Sequence, residues 1–360
     1  MSNISVIIPT FNESLNIIKI IDELRDVLSD LDYEIIVVDD NSPDKTHEKI
    51  KNYVNKNKVH NIHCINRTWK KGLSSAVIEG IGLSKKDNLC VMDGDGQHDP
   101  RNILEMLRII NAGGVDLVIG SRFFNVNKTE SLSVKRNRLS AVGIKLFNFF
   151  IVNKVTDPLS GLFITKRNQI NKFSDKLYKD GFKILFDYLM VNPSIKTKEI
   201  QINFRTRNDG ESKLNLSTFF SLIGQIVENR SFGLMPGSFV VFSIVGSSGI
   251  FMQLAFLTLM LPITNNFFIS NAIGIFIAMT SNYALNNYLT FHNIHKTLSS
   301  RLKGLSRYYL ANSLSIFANV GIATQLFSND FSILSSALIG ILAGLILNYF
   351  LSRNIVFKRI

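Results

Sequence analysis

The chain has 360 residues, enough for two domains, with 46% hydrophobic residues, a formal net charge of +12 and two cysteines. Cys64 and Cys90 lack any CxxC spacing, so neither a disulfide framework nor a cysteine zinc site is supported, and a reducing, cytoplasmic setting is expected for the half that carries them. The basic excess would suit nucleic acid or an acidic membrane surface; apolar content concentrated in the last third selects the membrane, and no nucleic-acid partner is expected.

Met1-Ser2-Asn3-Ile4 moves straight into an apolar run without a charged start or a cleavable core, so no signal peptide is expected. Apolar runs at residues 4–8, 34–38, 62–65, 89–92 and 117–119 alternate with helix-like stretches at 15–28, 46–54, 73–83 and 100–110. That alternation predicts an α/β fold, a mostly parallel sheet with helices on both faces. Asp99 reads as the N-cap of the fourth helix, with Pro100 at its first position. Ligands of such sheets bind at the carboxyl ends of strands, where Asp39, Asp40, Asp93 and Asp95 all fall. Met92 to Pro100 reads M-D-G-D-G-Q-H-D-P, which sets Asp93, Asp95 and Gln97 two residues apart at a strand's end. Three oxygen-bearing side chains there suit a hard divalent metal holding a diphosphate, although a solvated acidic turn would look the same.

Two stretches between the halves, 135–152 and 214–227, mix cations or polar residues with phenylalanines, as helices lying in the headgroup plane do; plain core helices are the competing reading. Beyond Pro236-Gly237, four segments at about 238–261, 267–289, 308–327 and 331–351 are free of Lys, Arg, Asp and Glu and long enough to span a bilayer, which predicts an all-α transmembrane domain of four helices. Lys296, Arg301, Lys303 and Arg307 lie in one connection and Arg353, Lys358 and Arg359 in the tail, whereas the turns at 262–266 and 328–330 carry no cation. The positive-inside rule then makes this an integral membrane protein with both termini and the catalytic half in the cytoplasm. A weak repeat relates Asn282-Tyr283-Ala284-Leu285 and Phe291 to Asn348-Tyr349-Phe350-Leu351 and Phe357. Asn282, Asn286, Asn287 and Asn348 are read as capping and interhelical hydrogen-bonding residues.

Pro9-Thr10-Phe11-Asn12-Glu13, Asp39-Asp40-Asn41-Ser42 and the Asp93 to Pro100 segment resemble family 2 glycosyltransferases of the GT-A fold. Asp93-Gly94-Asp95-Gly96-Gln97-His98, Gly120-Ser121-Arg122, Asp157-Pro158-Leu159-Ser160-Gly161, Gly181-Phe182-Lys183-Ile184-Leu185 and Arg207-Asn208-Asp209-Gly210-Glu211-Ser212-Lys213 are similar, more narrowly, to dolichyl or polyprenyl phosphate mannose synthases. The helical part is similar to GtrA-like membrane domains. The domains expected are a glycosyltransferase domain at 1–213, an interfacial helix and linker at 214–237, and a four-helix transmembrane domain at 238–360.

The resemblance implies inverting transfer of mannose from GDP-mannose to dolichyl or polyprenyl monophosphate, with UDP-glucose as the alternative donor. It implies nucleotide contacts from Pro9, Glu13, Asp39, Asp40, Asp93 and Gly94, and an Mg2+ or Mn2+ ion held by Asp93, Asp95 and Gln97. Catalytic roles fall to Asp95, Arg122, Arg207 and Lys213, and the acceptor phosphate to Arg122, Arg136, Ser140, Arg207 and Lys213. Asp157, Ser160 and Gly161 match the acceptor-side segment, Asp187 stands where the family has an acidic residue, and His98 reads as a structural neighbour. A homo-oligomer is compatible with this reading. A lipid-linked-sugar flippase with a recognition domain is the rival of another class. A processive synthase would carry Gln-x-x-Arg-Trp, and the one tryptophan, Trp69, follows Asn66-Arg67-Thr68.

Overall fold

The computed structural model describes residues 3–68, 72–124, 147–177, 183–205, 216–231, 233–291 and 293–358. The chain divides into two compact units, Met1–Ser212 and Lys213–Ile360.

In the first unit, strands β1 (Asn3–Thr10), β2 (Asp32–Asp39), β3 (Ile62–Asn66), β4 (Asn88–Met92), β5 (Leu117–Ser121), β6 (Leu162–Lys166) and β7 (Thr197–Gln201) form one sheet ordered β3-β2-β1-β4-β6-β5-β7. The neighbours β3-β2-β1-β4 and β5-β7 pair in parallel, and β6 runs antiparallel between β4 and β5. Val6 to Ile8, Ile35 to Val38 and Leu89 to Met92 are buried continuously, as strands covered on both faces require. Helices α1 (Ile17–Val27), α2 (Thr46–Asn57), α3 (Leu73–Leu83) and α4 (Asn102–Ala112) separate the first five strands. Ile17, Ile20, Ile21 and Leu24 put one apolar stripe of α1 against the sheet. Helices α5 (Arg167–Asn171) and α6 (Ile184–Val191) follow β6.

Helix α4 begins later than expected. Asn102 and Ile103 donate to the carbonyls of Asp99 and Pro100, a tight three-residue turn, and the Asp99 carboxylate accepts from the Arg101 N–H at 3.0 Å. Asp99 therefore closes an Asx turn ahead of the helix instead of capping it. Of the stretch 135–152, residues 135–146 lie outside the described residues. Phe147 is buried edge-on to Phe186, as a core residue would be, whereas Phe149 is exposed.

The second unit holds α7 (Leu216–Arg230), α8 (Gly237–Thr264), α9 (Phe267–Leu285), α10 (Leu298–Ser328) and α11 (Ile333–Leu351). Leu222 and Ile226 bury one side of α7. A long helix covers each of the four apolar segments, and among the described residues two stretches, Gly237–Thr264 and Ile339–Val356, are long and apolar enough to cross a membrane. Helix α9 ends before residue 289 because Asn286–Thr290 widens into a π-turn, and Ser352–Val356 does the same after α11. These turns fall at equivalent places in the repeat. Phe291 donates to the Asn286 carbonyl at 2.9 Å and Phe357 to that of Ser352 at 2.7 Å, and the two rings stack at 4.3 Å. Asn348 donates to Asn312 on α10 at 3.0 Å, and Asn287 exchanges two 3.1 Å bonds with the backbone of His295.

Candidate active site

Parallel strands β1, β2, β3, β4 and β5 all end at one edge of the sheet, and antiparallel β6 enters there, with Leu162 opposite Met92. The residues after the parallel strands and those just before β6 are thereby brought together.

On the β1-β2 side, buried Asp39 accepts from the Thr10 hydroxyl at 3.1 Å and from the Ser42 N–H and hydroxyl at 2.9 and 2.6 Å. Asp40 is engaged differently. The fully buried Arg67 donates its Nε to Asp40 Oδ1 at 2.7 Å and also places Nη2 on that oxygen, while Asp40 Oδ2 accepts from the Gly72 N–H at 2.7 Å. Arg67 reaches Ser75 at 2.9 Å and the Gly72 carbonyl at 3.0 Å as well. A buried charge needs such a partner set, so Asp40 and Arg67 together shape the loop that leads into α3. Glu13 is buried at the start of the turn into α1, where its Oε2 accepts from Asn16 at 3.2 Å. Pro9 lies buried in β1, and Gly94 packs so close that a β-carbon there would sit 3.0 Å from Thr10 Cγ2 and 3.1 Å from Ile8 Cγ2.

The turn after β4 places Asp93 and Asp95 on one short loop. Gly96 has φ +74, a left-handed conformation open to glycine, and it brings the Gln97 N–H to 3.1 Å from Asp95 Oδ1. Asp93 lies over Gly161, the residue before β6, and a β-carbon on Gly161 would stand 2.0 Å from Asp93 Oδ2. Lys183 Nζ approaches the same oxygen at 3.4 Å. Burial works to raise the Asp93 carboxyl, but Lys183, His98 and Arg122 outweigh it and hold it below its ordinary range. Gln97 donates its amide nitrogen to the Arg205 carbonyl at 3.2 Å, which leaves the amide oxygen as its ligand atom. His98 is buried with its ring edge-on to Phe204, and its Nδ1 has no hydrogen-bond partner among the described residues. Burial pushes the His98 pKa down, against the neighbouring Asp93 and Asp95 carboxylates, which work to raise it.

No group of three His, Cys, Asp or Glu among the described residues could hold a metal ion by itself. Two carboxylates on one loop are nonetheless what Mg2+ requires, since it takes one or two carboxylates and completes its shell with phosphate oxygens and water. Lys183 beside Asp93 marks the position as one that draws positive charge. The donor set fits a divalent ion that arrives with a diphosphate.

On the other side, Arg122 holds Asp157 with Nε at 2.7 Å and Nη2 at 2.9 Å, and the guanidinium lies 5.3 Å from the Phe204 ring centre. Asp157 is 1% exposed, so this fork is a buried anchor. Glu199 on β7 fixes the neighbouring turn through the Thr156 N–H at 2.9 Å and hydroxyl at 2.8 Å. Ser160 donates to the Gly120 carbonyl at 2.6 Å and accepts from the Leu162 N–H at 3.1 Å, a structural latch. Asp187 is buried in α6. Arg136, Ser140, Arg207 and Lys213, together with Trp69, lie outside the described residues.

The structure thus brings Asp93, Asp95, Gln97, Arg122, Asp157 and Gly161 to one edge. Reading by residue type missed Arg205 and the pairings of Lys183 with Asp93 and of Arg67 with Asp40. Arg67 carried a legible signal, a cation just after a strand end that faces two aspartates.

Residues 5–174 match the glycosyl transferase family 2 profile and residues 241–357 that of the GtrA/DPMS transmembrane domain. A dolichol-phosphate mannosyltransferase from Pyrococcus furiosus is 31% identical over 354 residues, 98% of this chain and 98% of that protein. One of the same name from Mycosarcoma maydis is 30% identical, covering 66% of this chain and 83% of its own length. An undecaprenyl-phosphate mannosyltransferase from Micrococcus luteus is 29% identical, covering 62% and 90%.

Proposed function

The chain belongs to the dolichol-phosphate mannosyltransferases of glycosyl transferase family 2, and from that premise we propose that it transfers mannose, with inversion, from GDP-mannose to a dolichyl or other polyprenyl monophosphate at the cytoplasmic face of a membrane. The observation that carries this reading is a likeness that runs through both halves at once, over 98% of each chain. On this reading, 1–213 is the transferase domain, 214–237 the interfacial helix and linker, and 238–360 four spanning helices with both termini cytoplasmic.

An oxygen of the lipid phosphate attacks the anomeric carbon from the face opposite the departing diphosphate. The new C–O bond forms as the bond to GDP breaks, giving a β-linked phosphosugar. A phosphomonoester with its second pKa near 6 is already largely a dianion at neutral pH, so no general base is required. What is required is fixed positive charge between two anions. Asp93 and Asp95, with the Gln97 oxygen, would hold Mg2+ or Mn2+, which when bound offsets charge on the departing diphosphate. The nucleotide contacts would fall to Pro9, Glu13, Asp39, Asp93 and Gly94, with Asp40 shaping the loop beside them through Arg67. Arg122, oriented by Asp157, presents its remaining N–H groups towards the acceptor phosphate, and Arg136, Ser140, Arg207 and Lys213 complete that cradle.

The test uses membranes holding the full chain, polyprenyl phosphate, Mg2+ or Mn2+, and radiolabelled GDP-mannose or UDP-glucose in parallel, scored as chloroform-soluble counts with and without EDTA. Labelling from GDP-mannose that EDTA abolishes is expected, and that Asp95→Ala abolishes it too. Labelling from UDP-glucose alone would replace the donor, and none from either would favour a flippase role for the helical half.

A further inference from the structure

Past β7 the chain is laced to the acidic loop at consecutive residues. Ile202 donates to the Ser121 carbonyl at 3.0 Å and continues the sheet. Phe204 sets its ring edge against His98 at 5.1 Å. Arg205 donates its N–H to the Gln97 carbonyl at 2.9 Å, and its own carbonyl accepts from the Gln97 side chain at 3.2 Å, a closed two-bond link. The Arg205 guanidinium then forks, with Nη1 on Glu23 of α1 at 2.7 Å and Nη2 on Asp99 at 3.1 Å. Glu23 stands on a helix fixed by Ile20, Ile21 and Leu24. One residue therefore ties three things together: the rigid scaffold, the far end of the acidic loop, and the segment just past β7.

We propose that Arg205 is a positioning residue, which holds the metal loop on the scaffold of α1 through Gln97, Asp99 and Glu23. The inference rests on the reading that Asp93, Asp95 and Gln97 take a divalent ion. Stability alone is a poor account of the fork. Arg205 and Glu23 are about one-third exposed, at 34% and 28%, and partly solvated pairs contribute little to folding. What a fork on two carboxylates does supply is direction, because a planar guanidinium fixes both partners while a lysine ammonium satisfies one at a time. Partners behind metal ligands act through orientation in this way.

The experiment takes the full-length protein in detergent with Glu23→Gln, Arg205→Lys and Arg205→Ala, and Asp95→Ala as control. Mn2+ binding is followed by electron paramagnetic resonance with GDP present, alongside thermal melting. Glu23→Gln and Arg205→Lys should each weaken Mn2+ binding by about 10-fold, with little loss of melting temperature. Glu23→Gln added to Arg205→Ala should cost nothing further, because both act through one fork. Asp95-dependent Mn2+ binding that is unchanged in Glu23→Gln and Arg205→Lys would overturn the inference alone. Absence of any Asp95-dependent binding in the unaltered protein would overturn the metal reading and this inference with it.

Discussion

Gly161 leaves very little space for a β-carbon. Its missing β-carbon is the space in which the Asp93 carboxylate lies, so Gly161→Ala must push Asp93 off its position or drag β6 away from β4. Neither alters the charge set. A displacement of that order costs about 100-fold in rate with the fold retained, read as lipid-soluble product against the melting curve. Wild-type activity in a folded Gly161→Ala protein would show that Asp93 does not need this place. The thiols give a second expectation. Burial, with some help from Asp39, pushes Cys64 up to about 12, and burial alone raises Cys90. A group whose folded pKa is raised contributes stability below its unfolded value, about 8.5 here, and that share is lost as pH rises through and beyond it. Iodoacetamide at pH 8 should therefore leave both cysteines unlabelled in the folded protein and label both once it is unfolded, as mass spectrometry would report. The residue scale is also where the sequence was least legible. The acidic loop could be read because its members are neighbours, but no local pattern says that Asp157 faces Arg122, that Lys183 faces Asp93 or that Arg67 belongs to Asp40. Those pairs join residues 27 to 90 positions apart.

At the scale of elements, the first five strands were legible because each is a continuous apolar run with a helix after it. β7 was not, since Thr197-Lys198-Glu199-Ile200-Gln201 is an edge strand with one buried side chain, and its polarity hides it. β6 is apolar enough, but its antiparallel direction depends on where the chain returns and not on its own residues. In the helical unit the repeat was visible, while the π-turns were not: an extra residue per turn leaves no mark in composition. The stacked Phe291 and Phe357, with Tyr283 parallel to Phe357 at 5.6 Å, join the two copies. Phe357→Ala should destabilise the helical unit by about 3 kcal/mol, measured by thermal or denaturant melting in detergent. A loss under about 0.5 kcal/mol would mean the stack is incidental.

At the scale of the whole molecule, the distribution of Lys and Arg fixes the expected orientation. Asn329 lies in a connection without cations and Lys358 in a basic tail, so Asn329→Cys should react with an impermeant maleimide on intact cells, and Lys358→Cys only after permeabilisation. The native thiols, Cys64 half-buried and Cys90 buried, are expected to keep the background low. The reverse pattern would invert the topology and put the nucleotide sugar on the wrong side.

The antiparallel course of β6 has a further consequence for how such a protein can change over generations. β5 ends and β6 begins at the same edge of the sheet, with Arg122 just after one and Gly161 just before the other, so both ends of the connection between them lie on the side of Asp93. Insertions or exchanges within it need not shift the register of any strand. Change in the part of the proposed acceptor cradle that lies between Arg122 and Asp157 can thus accumulate while the strands of the donor half are inherited untouched.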